Sequence, residues 1–132
     1  MNIVFDTNVL ISAFLFGGTS GKAIEHCIEN DDIFISPFIK EELSFILRTK
    51  FRLTNPDIAV ISEMLASGFS LVRPNTPIPA VCRDNDDNNI LQLAESVHAH
   101  FIITGDNDLL VLKQYKNTLI VSPAEFLRLS GF

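Results

Sequence analysis

The stretch Asn-Ile-Val-Phe-Asp-Thr-Asn, residues 2–8, decides how this chain folds. A short apolar strand ends at Asp6, and Thr7 and Asn8 then offer helix-capping side chains before a second apolar segment. A buried strand that leads directly into a helix is typical of a parallel α/β sheet. In such sheets the carboxyl ends of the strands line one crevice, and ligands bind there.

Strand and helix patterns alternate along the rest of the chain. Apolar runs predict five strands, near residues 2–5, 33–35, 69–72, 101–104 and 119–121. Helical spacing and capping residues predict helices between them, near residues 9–15, 22–29, 37–47, 55–65, 87–97 and 109–113, and a last helix from residue 123. The inner face of the fourth helix is predicted to carry Ile58, Ile61, Met64 and Leu65. This alternation predicts a mostly parallel, five-stranded sheet covered by helices on both faces.

The length and composition of the chain favour one globular domain over residues 1–132. Hydrophobic residues make up 47% and charged residues 20% of the chain, which argues against disorder. No apolar stretch approaches the roughly 20 residues that span a bilayer, so we expect no membrane association. The start has no signal-peptide pattern, and Cys27 and Cys82 lack metal-site or redox spacing. A cytoplasmic protein with reduced thiols is therefore expected.

Acidic residues gather in four short signatures, three of them at predicted strand ends. They are Asp6, the pair Glu41 and Glu42, the loop acids Asp84, Asp86 and Asp87, and the pair Asp106 and Asp108. Carboxylates gathered in one crevice repel one another unless a hard divalent cation neutralises them, and Mg²⁺ or Mn²⁺ prefers oxygen ligands. The pattern points to a metal-dependent phosphoryl-transfer site.

The charge balance limits what the protein can bind. A net charge of −6 argues against tight, unspecific binding to long nucleic acid, though not against a small site that cuts it. Arg48, Lys50 and Arg52 form a local basic cluster after a predicted helix. Cations at a helix end suit the helix dipole, and a phosphate-steering role is an equal alternative.

Each acidic signature also has an ordinary structural explanation. Asp6 taken alone is best explained as a helix N-cap, and the loop acids are explained as a capped turn. Glu41 and Glu42 point about 100° apart on a helix, so one of them faces a shared site at most. His26, His98 and His100 lie outside all four signatures and are not expected to act as bases.

Five motifs in order carry a resemblance to a known family. Residues 5–10 resemble the opening motif of PIN domains, a family of metal-dependent ribonucleases. Ser36 with the pair Glu42 and Leu43 resembles the second signature, and residues 83–94 and 104–110 resemble the third and fourth; residues 120–127 fit the family's ending. The similarity is greatest to bacterial and archaeal PIN proteins classed as toxin components of toxin–antitoxin pairs.

The resemblance implies a three-layer α/β/α sandwich with one acidic pocket. The residues it implies as catalytic metal ligands for Mg²⁺ or Mn²⁺ are Asp6, Glu42, Asp87 and Asp106. The motif has a glutamate directly before a leucine, which selects Glu42 over Glu41, while Asp84 and Asp108 are further candidate ligands. Residues expected to orient these ligands or a bound water are Thr7, Asn8 and Thr104. The family often has a basic residue within the fourth motif, where this chain has Gly105 and Asn107.

The activity implied is metal-dependent endoribonuclease cleavage of RNA. The partners implied are an RNA substrate, a cognate antitoxin and a second copy of the chain in a homodimer or higher homo-oligomer. Phe14, Leu15 and Phe16 either serve that interface or finish the first helix against the core.

Three other functions remain alternatives. A catalytically weak or inactive PIN domain would act as an RNA- or protein-binding module. A receiver-like phospho-accepting domain would need an acidic pair in the first loop and a lysine after the last strand, where the chain has Asp6 alone and Ser122-Pro123. A haloacid-dehalogenase-type phosphatase would need an aspartate in place of Asn8.

Overall fold

The computed structural model describes residues 1–131. The strands in this part are β1 Asn2–Phe5, β2 Asp32–Ile35, β3 Ser70–Leu71, β4 Phe101–Ile103, β5 Gln114–Tyr115 and β6 Thr118–Val121. The helices are α1 Thr7–Phe16, α2 Gly18–Asn30, α3 Pro37–Thr49, α4 Asn55–Gly68, α5 Asn85–Ser96, α6 Asn107–Leu110 and α7 Pro123–Leu129.

The strands form one mostly parallel sheet, as predicted. Their order is β3-β2-β1-β4-β6-β5, and every neighbouring pair is parallel except β5 and β6. Val4 in β1 lies opposite Phe34 of β2 on one side and Ile102 of β4 on the other. The central strand is therefore paired on both edges, and Ile3, Val4 and Phe5 are all buried because helices cover both faces of the sheet, which explains the continuous apolar run.

The predicted number of strands was wrong, because the sheet has six strands within residues 1–131. The additional strand is β5, which pairs with β6 as an antiparallel hairpin joined by Lys116 and Asn117. Lys116 has a φ of 51°, the left-handed conformation that tight two-residue hairpin turns require. Gln114 and Tyr115 do not form an apolar run, so the sequence pattern could not reveal this strand, whereas the equally short β3 lies within the apolar run at residues 69–72.

The sheet reverses its direction of growth at β1. The chain moves from β1 through β2 to β3 in one direction, and α5 then carries it back to β4 on the other side of β1. Right-handed crossovers in opposite directions place their helices on opposite faces of the sheet, which gives three layers. α1 packs against α2 and α3, α2 packs against α7, and α5 packs against β1 and β4. The crevice between the ends of β1 and β4 is the switch point at which such sheets bind ligands.

The start of α3 follows the predicted capping chemistry. Ser36 Oγ accepts a hydrogen bond from the Ile39 N–H at 3.2 Å, so it caps α3 as expected.

Ile58 and Leu65 of α4 are buried, but Met64 is 50% exposed, and its assignment to the inner face was wrong. It is one residue, or about 100°, away from Leu65 on the helix. Within residues 1–131 no helix is both long and apolar enough to cross a bilayer.

Candidate metal centre

Asp6 lies at the boundary between β1 and α1, with its side chain at the switch point. Its backbone N–H donates to the Ile103 carbonyl of β4 at 2.9 Å, which holds the end of β1 beside the end of β4. The carboxylate makes no capping hydrogen bond to α1, although Asp6 occupies the N-cap position and is only 6% exposed. The simple capping explanation therefore does not account for where this side chain points.

Thr104 connects Asp6 to the fourth acidic signature. Its hydroxyl donates to Asp6 Oδ2 at 2.7 Å and accepts the Asp106 N–H at 3.0 Å, and Thr104 is fully buried. Burial raises the pKa of Asp6, the Thr104 hydrogen bond opposes that rise, and the nearby charge of Asp106 adds to it. Thr104 thus sets the distance between two carboxylates from neighbouring strands.

Asp87 is the most deeply perturbed acid of the third signature. It lies in the first turn of α5, is 5% exposed, and its Oδ2 has no hydrogen-bond partner. The pKa of Asp87 is raised to about 7, first by burial and then by the nearby carboxyl groups of Asp106, Asp6 and Asp84. A buried carboxylate oxygen without a donor is unfavourable unless a cation or a proton occupies the site.

Glu42 reaches the same region from α3, on the other side of Asp6. Its Oε1 accepts a hydrogen bond of 2.5 Å from the Thr7 hydroxyl, and Thr7 is 2% exposed. Burial raises the pKa of Glu42, the Thr7 hydrogen bond lowers it, and Asp86 raises it. Glu41 is exposed and points away, in agreement with the 100° separation of neighbouring helical residues.

The remaining acids of the signatures have different surroundings. Asp84 is exposed and caps α5 by accepting the Asp86 N–H at 2.9 Å. Asp106 caps α6 by accepting the Asp108 N–H at 2.9 Å, and Asp108 pairs with Arg83 through contacts of 3.0 and 3.2 Å. Arg83 therefore brings a positive charge to the rim from the preceding loop, whereas the fourth motif lacks one.

These side chains converge on one small pocket of about 190 Å³. The residues lining it are Asp6, Thr7, Asn8, Glu42, Ile46, Asp84, Asp86, Asp87 and Asp106. Six of the nine are carboxylates and none is basic. The pocket joins the ends of β1 and β4 to the starts of α1 and α5 and to the middle of α3, and we call it the acidic pocket.

The donor set fits a hard divalent cation. Carboxylate oxygens of Asp87, Asp106 and Asp108 lie within 4.8 Å of one another. Carboxylate oxygens are the ligands that Mg²⁺ and Mn²⁺ prefer, and Asp87, whose Oδ2 has no hydrogen-bond partner, is one of the three residues. Asp108 belongs to this group although it does not line the acidic pocket, because it approaches from the rim.

Asn88 was missed as a residue that shapes the site. It is 2% exposed, its Oδ1 accepts the Val81 and Cys82 N–H groups at 3.2 and 2.8 Å, and its Nδ2 donates to the Cys82 carbonyl at 3.0 Å. These bonds tie the loop before Asp84 to α5. The sequence gives no signal for this role, because an asparagine among acidic residues also fits an ordinary polar turn.

The three histidines do not line the acidic pocket. The His100 Nδ1 accepts the Asn2 N–H at 2.9 Å, and the His26 ring packs edge-on against Phe126 with centroids 5.8 Å apart. His98 lies at the end of α5 with a φ of 51°.

Comparisons with known proteins agree with this architecture. A family model described as PIN domain matches residues 2–108. The uncharacterized protein MJ1680 of Methanocaldococcus jannaschii is 36% identical over 128 residues, covering 92% of this chain and 81% of the relative.

Solved structures share the fold at low identity. VapBC2 from Rickettsia felis, bound to a DNA fragment from their promoter, has a TM-score of 0.65 at 16% identity and covers 91% of this chain and 97% of that one. PAE2754 from Pyrobaculum aerophilum has a TM-score of 0.61 at 22% identity, covering 100% of this chain and 91% of that one. The family model matches most of the chain and shows that this chain belongs to the PIN-domain family.

Proposed function

We propose that this protein is a Mg²⁺- or Mn²⁺-dependent endoribonuclease. The observation that carries the proposal is the acidic pocket, in which Asp6, Glu42, Asp87 and Asp106 converge and an Asp87 oxygen is buried without a donor. Membership of the PIN-domain family supports the same reading.

Asp87, Asp106 and Asp108 would hold the cation, with Asp6 and Glu42 as the further acids. A bound Mg²⁺ or Mn²⁺ supplies a Lewis acid for a phosphodiester oxygen and lowers the pKa of a bound water. Thr104 orients Asp6, and Thr7 orients Glu42, through their hydroxyl hydrogen bonds. Such supporting bonds fix ligand geometry before substrate arrives.

We further propose that the protein is the toxin of a toxin–antitoxin pair and acts in the cytoplasm as a homodimer. The fold likeness to VapBC2 of Rickettsia felis supports an antitoxin partner. Phe16 at the end of α1 is 74% exposed and suits a contact between copies, whereas Phe14 and Leu15 pack partly against the core. The inactive, binding-only alternative is less favoured because all four acids of the motif are present and face one pocket.

The decisive experiment is cleavage of a mixed RNA panel with Mg²⁺, with Mn²⁺ and with a chelator. The test variants are Asp6→Asn, Asp87→Asn and Asp106→Asn, and the matched control is Glu63→Gln, an exposed acid on α4. We expect metal-dependent cleavage that falls by about a hundredfold or more in each test variant and is unchanged in the control. Equal cleavage in chelator, or full activity of folded Asp6→Asn, would refute the proposal.

A further inference from the structure

Building on the proposed nuclease function, we propose that a basic and aromatic groove along α3 binds single-stranded RNA and leads it to the acidic pocket. The groove has a volume of about 460 Å³. It is lined by Pro37, Lys40, Glu41, Ser44, Phe45, Arg48, Leu71 and Arg73. We call it the α3 groove.

The groove follows from the spacing of residues on α3. Glu41, Phe45 and Arg48 recur at intervals of four and three, so they share one helical face. Glu42 is one position further and faces the acidic pocket. Arg73 comes from the segment after β3, which lies at the sheet edge. Two elements distant in sequence therefore complete one surface.

The groove concentrates positive charge in a chain of net charge −6. Lys40, Arg48 and Arg73 are exposed, and none of them takes part in the ion pairs found among residues 1–131. Arg48 donates a hydrogen bond to the Asn55 Oδ1 at 3.3 Å, which steadies it without neutralising its charge. Three cations without ion-pair partners, set against the single carboxylate of Glu41, leave the groove positively charged, which suits the phosphates of a nucleic-acid backbone.

An exposed aromatic ring lies among these cations. Phe45 is 66% exposed and Leu71 is 54% exposed, and both line the groove. An exposed phenyl ring contributes little binding free energy unless a flat partner covers it. Unpaired bases stack on such rings without regard to sequence. A charged groove with a stacking ring is the combination found in binders of single strands.

The groove is continuous with the proposed cleavage site. A neighbouring depression of about 440 Å³ is lined by Phe38, Glu41, Glu42, Phe45 and Asp86. It shares Glu41 and Phe45 with the α3 groove, and Glu42 and Asp86 with the acidic pocket. From Glu42 to Arg48 the rise along the helix is about 9 Å. A strand bound in the groove therefore reaches the pocket within a short distance.

Glu41 is the single carboxylate among the groove-lining residues and sets the path of the strand. Its charge repels phosphate, so we place a base against Phe45 and the phosphates against Lys40, Arg48 and Arg73. Glu41→Gln should consequently tighten RNA binding, by up to about fivefold for one surface charge. An acidic peptide would meet the same cations but would gain nothing from a ring suited to stacking.

The test measures RNA binding without cleavage. Fluorescence anisotropy of a labelled single-stranded RNA decamer, in chelator, is compared for the wild type and for the triple variant Lys40→Gln, Arg48→Gln, Arg73→Gln. We expect the Kd to rise at least about tenfold, and the slope of log Kd against log salt to fall by about 2, since each single-strand phosphate contact contributes about 0.7. The control triple Lys113→Gln, Lys116→Gln, Arg128→Gln removes the same charge elsewhere and should change the Kd by less than about threefold.

A second comparison tests stacking. Phe45→Ala should weaken binding between about fivefold and about a hundredfold, and Phe45→Trp should preserve it. Val111→Ala removes another exposed apolar side chain and should have no effect. A duplex of the same sequence should bind more weakly, because its bases are already stacked.

Several results would overturn the proposal. They are equal losses in the two triple variants, a neutral Phe45→Ala, no binding by the wild type, or displacement of RNA by an acidic peptide at lower concentration than by unlabelled RNA. If groove-dependent binding occurs but no variant-sensitive cleavage does, the nuclease proposal fails and the groove stands. If cleavage depends on Asp6 but groove variants bind and cleave normally, the groove proposal alone fails.

Discussion

The Thr104 hydroxyl donates a 2.7 Å hydrogen bond to the Asp6 carboxylate and so joins residues 98 positions apart in the chain. The same hydroxyl accepts the Asp106 N–H, which ties both acids to one buried group. Without this donor, Asp6 would be a buried carboxylate beside a second negative charge.

Thr104→Val keeps the shape of the side chain and removes both the donor to Asp6 and the acceptor of the Asp106 N–H. We expect it to lower the free energy of unfolding by about 2 kcal/mol, the usual range for a hydrogen bond to a charged group. Urea denaturation measures the change, with Thr104→Ser expected to restore most of the loss. Thr118→Val is the matched control, since Thr118 is also buried and donates to the neutral Ala99 carbonyl. A loss at Thr118 as large as at Thr104 would contradict a special role for the Asp6 bond.

The metal-free protein should become less stable as the pH rises from about 4 to about 7. The pKa of Asp87 is raised from 3.8 to about 7, so in this window the folded chain keeps a proton that the unfolded chain has lost. Proton release on unfolding makes stability fall with rising pH. The raised pKa values of Asp6 and Glu42 act with the same sign.

Thermal unfolding in chelator at about pH 5 and about pH 7.5 checks this dependence. We expect a lower Tm at the higher pH for the wild type and a smaller difference for Asp87→Asn. A Tm that rises across this window in the wild type and equally in the variant would show that Asp87 is not buried as described.

Asp87 and Asp84 should differ sharply in metal binding. Asp87→Asn removes a member of the trio whose oxygens lie within 4.8 Å of one another, so the Kd for Mn²⁺ should rise by at least about tenfold. Asp84→Asn keeps a side-chain oxygen that can cap α5 and should have a small effect. Titration calorimetry distinguishes the two, and comparable losses would make Asp84 a ligand as well.

Arg83→Gln should strengthen metal binding. Arg83 holds both oxygens of Asp108 through contacts of 3.0 and 3.2 Å, and a cation at Asp108 has to displace it. An exposed pair of this kind contributes little to stability, so Mn²⁺ affinity should rise by up to about fivefold with little change in Tm. Arg83→Lys should fall between the two. Weaker Mn²⁺ binding by Arg83→Gln would show that the arginine supports the site instead.

Asn88→Ala should destabilise the loop that carries the third signature. The change leaves the Val81 and Cys82 backbone groups without their side-chain partner, at a loss of about 2 kcal/mol. Chemical denaturation measures the loss. Asn89→Ala is the matched control, because Asn89 makes a single exposed bond to the Asn85 carbonyl. Equal stability of the two variants would refute the anchoring role.

Much of the fold could be read from local patterns. Apolar runs identified β1, β2, β3, β4 and β6, because the periods of strands and helices are visible in the order of residues. The convergence of Asp6 and Asp106 was also predictable, since the carboxyl ends of parallel strands meet at one edge. The strand β5 and the exposure of Met64 were not predictable, because Gln114-Tyr115 is no apolar run and the orientation of a helix depends on neighbouring elements.

The order of residues thus specified the α/β class, the family and the set of acids near the pocket. Only the tertiary structure determined which side chains interact with each other, such as Arg83 with Asp108 and Thr7 with Glu42. It also determined the raised pKa of Asp87 and the meeting of Arg73 with α3. Burial, charge and hydrogen bonding at a site depend on elements that lie far apart in the chain, so no local sequence pattern can specify them.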